Sequence, residues 1–452
     1  MVSKATIAAT RFGYGFHPNQ AQPADATGLL AELGMPSPID ARLGGPTMRQ
    51  RAALFAKYFD VRKARKEDLS LTSKMQDLVK RMNVQFRTDI AARVAAPVLS
   101  DQGFYERLCW FWTDHFTTAA RNNITKSFTP RLEVDAIRPN INKTFGQMLR
   151  AVTTHPAMIV YLDQHRSVGP GSKLGQRTGR GLNENLAREI IELHTLGVGG
   201  RYAQADVRQF AELLTGLNVN RRKGFSTFRR ERAEPGSEQV LGEVYEDGEG
   251  DFSAIFDALE DMARHPDTAR HIARKLAVHF VADDPPQALV DHIANAYQRT
   301  EGWLSAVYQA LLEHPESWAE PARKIKQPFD YVVSSLRAAG LDRKGLKPFL
   351  KGGDVSARKA LRSMNQDMMQ APGPDGWPEA AEYWITAQGL ATRLQWAASF
   401  GRHFETMLDP RAYLDTALAD RARPATRFAA TNAAEKWEGL ALVLASPEFN
   451  RR

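Results

Sequence analysis

NENLAREIIELHTLGVGG, residues 183–200, reads as a capped helix dense in carboxylates and closed by a glycine. Asn183 is placed to cap it, because its side-chain oxygen can reach the free amides of the first turn. Gly197 stands just past the last periodic residue, where a left-handed position is commonly required. Leu186, Ile190 and Leu193 recur at i, i+4 and i+7 and make one buried stripe. Asn185, Glu189 and Glu192 share that spacing on another face, with Glu184 and Arg188 beside them.

The same helical periodicity runs through almost the whole chain. Strand signals are scarce and fall at 223–228 and 239–244. The expected fold is therefore mainly α, an irregular multi-helix bundle with one small β-hairpin over 221–245. One continuous unit spanning 5–450 is expected to carry two lobes. Residues 1–217 would hold the acidic helix and a Gly-rich flap, and 218–452 would pack around the helix at 266–280. Histidine precedes proline at His155-Pro156, His265-Pro266 and His314-Pro315, each time where one helical run ends and another begins. Proline suits a first helical turn, because its missing N–H would have had no partner there. Punctuation explains these histidines more simply than a metal cluster does.

With 43% hydrophobic and 25% charged residues in 452, the chain is ordinary globular material. No run approaches the roughly 18 apolar residues that a membrane helix needs. The opening MVSKATIAATRFGYGF shows no signal-peptide pattern, so a cytoplasmic location is expected. Cys109 is the single cysteine, which excludes an intramolecular disulfide and a cysteine-built zinc cage within one chain. Between Leu108 and Trp110 it reads as a buried thiol. The net charge of +8 is concentrated at 61–66, 221–232 and 343–362. These patches read as solvated faces and loops. Nucleic-acid binding ranks last, since no recognised module accompanies them.

Several blocks together carry a family resemblance: RFGYGF (11–16), WFWTDHF (110–116), YLDQHRSVGPGS (161–172) and LNENLAREIIELHTLGVGGRYAQADV (182–207). ELLTG (212–216), HPDTARHIARKLAVHFVADDPP (265–286), RKIKQP (323–328) and PGPDGWP (372–378) continue it in order. The chain resembles a bacterial family catalogued as domain of unknown function 1800. The resemblance implies no particular activity. Two departures stand out: Ala203 where relatives often have a capping Thr, and Leu217 where they often have an aromatic. For many relatives the resemblance implies export and a sulfatase-like or phosphatase-like partner.

The chemistry-bearing residues gather around the acidic helix. Glu189, Glu192 and His115 are the candidate catalytic residues, with the glutamates as bases and His115 as acid or base. The same three are the candidate ligands of a divalent metal, the one cofactor considered. Arg188, Asn183, Asn185 and Asp163 are candidate substrate-binding groups, Arg188 as an anion clamp and the amides as orienting groups. The local spacing departs from the Glu-x-x-His signature of bundle metal sites. A structural account competes with this one. Glu184–Arg188 and Arg188–Glu192 are i,i+4 pairs, each contributing about 0.2–0.5 kcal/mol. That ladder leaves Asn185 and Glu189 unexplained. The loop GPGSKLGQRTGRG (169–181) has five glycines and leads into the helix. It suits a lid over a neighbouring cleft better than a phosphate cradle, because it lacks the ending of a P-loop. Asp163 reads as a turn former or a further cleft carboxylate, and RKIKQP as a solvated helix entry. The expected function is a carboxylate-based hydrolase or transferase, with or without a metal. A non-catalytic helical scaffold or partner-binding protein is the alternative.

Overall fold

Side-chain caps set many of the helix boundaries. Thr47 with Gln50, Asn122 with Thr125 and Thr144 with Gln147 form reciprocal capping boxes. The His-Pro junctions work the same way. His155, His265 and His314 each accept the backbone N–H two residues on through Nδ1, at 3.2, 3.1 and 3.3 Å. The imidazole takes the part usually given to Ser, Asp or Asn, and proline occupies the first turn where no donor is missed.

A computed structural model describes residues 2–35, 45–246, 251–353 and 355–452. Helices α1 (Met48–Ala64), α2 (Thr72–Leu99), α3 (Gly103–His115) and α4 (Asn123–Leu132) open the fold, with shorter turns between them. The acidic helix α5 (Asn185–Glu189) runs into a π-helical turn, Ile190–Thr195, and α6 (Gln204–Leu213) follows. Next come β1 (Leu217–Asn220), β2 (Phe225–Phe228), β3 (Ser237–Val240) and β4 (Glu243–Glu246). Helices α7 (Pro266–Phe280), α8 (Gln287–Arg299), α9 (Leu304–Glu313) and α10 (Pro328–Ala338) lead to α11 (Ala387–Phe404) and α12 (Lys436–Ala445). The protein is mainly α, an irregular multi-helix bundle.

The single hairpin expected over 221–245 is two hairpins. β1 pairs antiparallel with β2, Asn220 opposite Phe225, and β3 with β4, Val240 opposite Glu243. The reason lies in the turns. Leu241 and Gly242 take φ of 55° and 91°, the doubly left-handed geometry that closes a two-residue hairpin on itself. In the first turn the Asn220 side chain accepts the Arg222 and Lys223 amides, and Gly224 adopts φ 75°. A Cβ on Gly224 would lie 2.7 Å from the Met48 carbonyl, so the hairpin sits close against the start of α1. The second hairpin is tied to α6 by Asp206 and Gln209, which accept the Leu241 and Gln239 amides. Asp206 also accepts the Ala203 N–H at 2.7 Å, so one half of a capping box survives although the Ala203 side chain cannot accept a helix amide in return.

Apolar side chains collect in two large clusters. The first draws on residues 7–312 and includes Phe12, Phe104, Trp112 and Phe280. The second joins Tyr14, the far half of α2 and Trp110 to residues 329–449. Core continuity therefore runs across position 217 and changes between α9 and α10. Helix α3 belongs to both: Phe111 and Trp112 face the first cluster, while Trp110 stacks on Phe329 of the second at 4.0 Å. Burying each such aromatic contributes about 1.5–3 kcal/mol.

RKIKQP is not a solvated helix entry. Lys324 and Lys326 are buried, and Lys324 Nζ donates to Asp283 at 2.5 Å and to the Glu379 carbonyl at 2.9 Å. Arg107 and Arg452 both meet the buried Asp330 at 3.0 Å. Lys324 is thus paired in the interior, where an isolated charge would be costly, and Lys326 lies over the Phe449 ring at 3.9 Å.

Candidate functional site

Helix α3 ends at the sequence Thr113-Asp114-His115, between the two apolar clusters, and the chemistry gathers there. A cleft of about 440 Å³ opens against this end. Asp114 and His115 from α3, His271 and Lys275 from α7, and Asp375 and Glu379 from the loop after residue 371 line it. A smaller cavity of about 50 Å³ lies on the other side of Asp114 and Trp377, between Arg93, Trp110 and several threonines.

The loop reaches Asp114 because of a glycine. Gly376 has φ 91°, and a Cβ there would lie 2.8 Å from the Asp114 carboxyl carbon. This close approach lets the Trp377 N–H donate to Asp114 Oδ1 at 3.0 Å. Burial raises the Asp114 carboxyl to about 7, with Glu379 and Asp375 adding to the rise against the Trp377 amide and Lys275. Lys275 makes no hydrogen bond or ion pair among the described residues. Burial lowers its amine, and Asp114, Glu379 and Asp375 oppose that shift. Glu379 is different. Burial would raise it, but His279 at 2.5 Å and Lys324 at 3.0 Å outweigh that and hold it well below the usual carboxylate range.

The π-helical turn supplies the cleft's fourth wall. Such a turn ends with carbonyls that lack helical partners. His115 Nε2 takes the His194 carbonyl at 3.1 Å, and His271 Nε2 takes the Leu193 carbonyl at 3.0 Å. A carbonyl only accepts, so both imidazoles carry their proton on Nε2 and leave Nδ1 as the bare acceptor. His115 Nδ1 is buried without a partner. Burial and then Lys275 lower both rings, His271 to about 4. They are neutral near pH 7. His194 is packed among aromatics, edge-on to Phe116 at 5.1 Å, and burial lowers it to about 3.

The residues singled out from sequence divide into three groups. His115 lines the cleft. Glu189 is half-buried and makes no hydrogen bond or ion pair among the described residues. Burial, Glu192 and Asp375 raise its carboxyl to about 7. Asp375 thus raises both Glu189 and Asp114, although Glu189 does not line the cleft. The remaining residues are engaged in the fold. Arg188 bridges Glu184 and Glu192, each at 3.0 Å, and also donates to Gln204. Asn183 accepts the Asn185 amide at 3.0 Å and donates to the Leu162 carbonyl at 3.2 Å, while its own N–H meets Ser167. Asn185 is exposed. Asp163 sits in a left-handed turn at φ 57° and pairs with Arg166.

Glu189, Glu192 and His115 do not form a metal cage. Among the described residues no three His, Cys, Asp or Glu side chains stand together as a metal-binding group. Cys109 is a fully buried thiol whose acidity burial suppresses. The Gly-rich loop contains a short helix, Lys173–Thr178, and is fastened at its near end. The Glu234 carboxylate accepts the Gly171 amide at 2.8 Å, occupying the place an anion would take in a phosphate cradle.

Asp114, His271, Lys275, Asp375 and Glu379 were missed in sequence. One signal was present: His271, Lys275 and His279 recur every four residues along one face of α7. The family model described as protein of unknown function, DUF1800, matches residues 7–451. The chain belongs to this family. No curated protein and no solved structure matches it. No helix among the described residues of this DUF1800 protein is long and apolar enough to cross a membrane.

Proposed function

We propose that this DUF1800 protein is an enzyme of acid–base type, a hydrolase or transferase acting on a small polar substrate in the cleft at the end of α3. The observation that carries the reading is the unpaired Lys275 amine in the same cleft as an Asp114 carboxyl raised to about 7. A carboxyl at that value gives or takes a proton near neutral pH with little loss in either direction. A desolvated amine is more available as a nucleophile or base near neutral pH than a surface lysine, because more of it is unprotonated. His115 Nδ1 offers a fixed acceptor, and its Nε2–H is held by the π-turn carbonyl. Asp375 at the outer loop would orient the substrate and disfavour a second anion near it. Perturbed titratable groups of both signs in one cleft are the arrangement expected where proton transfer is done.

Trace acetylation at graded pH, read by peptide mass spectrometry, tests this. Lys275 should react at lower pH than surface lysines, and Asp114→Asn should lower its titration further by removing a neighbouring carboxylate. A panel of chromogenic carboxylic, phosphate and sulfate esters should show turnover that Lys275→Met abolishes. Lys275 titrating with the surface lysines, together with no turnover that depends on it, would reject the reading.

The scaffold reading keeps one specific support: Arg188, Glu184, Glu192, Gln204 and Asn183 bond to one another and to backbone. It accounts for the acidic helix as internal glue. It does not account for Lys275, Asp114 or Glu189.

A further inference from the structure

A second cleft, also of about 440 Å³, lies between α1 and the β1–β2 hairpin and shares no lining residue with the acid–base cleft. Arg221, Arg222, Arg229 and Arg232 form one side of it, and no carboxylate lines it. Two of the four are partly compensated from outside. Arg222 forms a bidentate pair with Asp60 at 2.6 and 2.9 Å, and Arg229 reaches Glu231 at 3.5 Å. Arg232 is aimed by backbone, donating to the His165 and Ser167 carbonyls at 3.1 and 3.4 Å. Arg221 has no carboxylate in ion-pair range among the described residues. Burial and the neighbouring Arg229, Arg180 and Arg221 lower the Arg232 guanidinium, so the cluster repels itself when empty. The opposite side is apolar. Phe55 is buried there, and Phe59 is 43% exposed with its ring at the cleft.

A self-repelling guanidinium cluster facing an aromatic wall fits a ligand that is anionic at one end and planar at the other. Guanidinium forks match phosphate oxygens bidentately, and aromatic rings accept a planar group by stacking. The volume suits a single small ligand. We propose that this cleft binds an organic phosphate of nucleotide type, with its phosphates on Arg221, Arg229 and Arg232 and its ring on Phe59. The turn that carries Arg221 is fixed by Asn220 and Gly224, and the Asn218 side chain donates to the His165 carbonyl at 3.1 Å. The arginines are thus mounted on a small rigid hairpin, which favours a defined ligand over diffuse attraction.

Isothermal titration calorimetry of the full chain tests the proposal, with ADP, pyrophosphate and a short single-stranded oligonucleotide as separate probes. ADP should bind saturably at one per chain. Arg221→Glu combined with Arg229→Glu should weaken it by about a hundredfold or more, since each lost charge-assisted contact costs about tenfold and each new carboxylate repels. Arg221→Ala, which breaks no ion pair, should weaken ADP by about tenfold and serves if the double variant fails to fold. Phe59→Ala should weaken ADP and leave pyrophosphate unchanged. No saturable ADP binding, or binding indifferent to the arginine variants, would overturn the proposal. Tighter binding of the oligonucleotide than of ADP, with a steep loss in salt, would overturn it in favour of a nucleic-acid groove. Neither result bears on Lys275, so the two clefts are tested separately.

Discussion

His314 caps a helical turn with its neutral Nδ1, and a protonated imidazole could not accept that amide. His314→Ala should cost about 1 kcal/mol near neutral pH, as loss of a cap commonly does. His314→Asn should restore most of this, and thermal melting of the three proteins measures it. Asp114 makes the opposite demand. Its carboxyl is raised to about 7 in the fold, against about 3.9 in an unfolded chain. A group raised in the folded state favours folding below its unfolded value, and this contribution is lost as pH rises through the folded value. Asp114→Asn does not titrate. Its stability relative to wild type should therefore grow from about pH 4 to about pH 7 and level off above. Melting temperatures of the pair across that range check the sign. The His-Pro caps were legible in sequence because proline position is a local rule. The raised Asp114 was not, since it comes from burial, with added charge from Glu379 and Asp375 of a loop more than 250 residues away in the chain.

At the scale of elements, the cleft depends on one loop being able to touch one helix end. Gly376 carries a φ of 91° and leaves no room for a methyl group beside Asp114. Gly376→Ala should destabilise by about 1–3 kcal/mol, from strain and displaced contact. Denaturant melts measure the cost. The same variant should detach the Trp377 amide from Asp114 and so change Lys275 acetylation, which a purely local strain would leave alone. The acidic helix shows how far periodicity goes. Leu186, Ile190 and Leu193 predicted one stripe, and Leu186 and Ile190 are fully buried while Leu193 reaches the cleft wall. The π-helical turn shifts the register after Glu189, and no pattern in the sequence announces that shift. It is this turn that presents the Leu193 and His194 carbonyls to His271 and His115.

Across the whole molecule, a buried cation fastens together segments far apart in the chain. Arg337 on α10 is fully buried and donates to the carbonyls of Gly15, Pro97 and Ser100, at 2.9, 3.1 and 2.5 Å. Arg337→Met would leave these oxygens unsatisfied and should cost about 3–5 kcal/mol, seen as a lower denaturant midpoint. Buried histidines weaken the fold in acid. Burial lowers His194 to about 3 and His271 to about 4, below an unfolded value near 6.5. Groups depressed in the fold support it above the unfolded value, and that support is lost as pH falls toward the folded one. Asp114 and Glu189, raised to about 7, act in the opposite sense on the same chain, so a variant isolates the histidine effect. The stability of His194→Gln relative to wild type should grow as pH falls from about 6.5 to about 4, as calorimetry of the pair would show.

The sequence by itself determined the helical class, the family, the burial of Cys109, the caps and the Arg188 ladder. Each depends on spacing along one segment, where the relevant partners lie within about one helical turn. Tertiary structure alone decided which ionisable groups share a cleft. Asp114, Lys275, Asp375 and Glu379 come from three separate segments, and their altered proton affinities arise from burial and mutual charge, which depend on distance in space. It also decided that Lys324 and Lys326 turn inward and that Arg221, Arg222, Arg229 and Arg232 form one side of a cleft. A run of charges specifies composition, and only packing fixes whether water, a carboxylate or a ligand stands opposite.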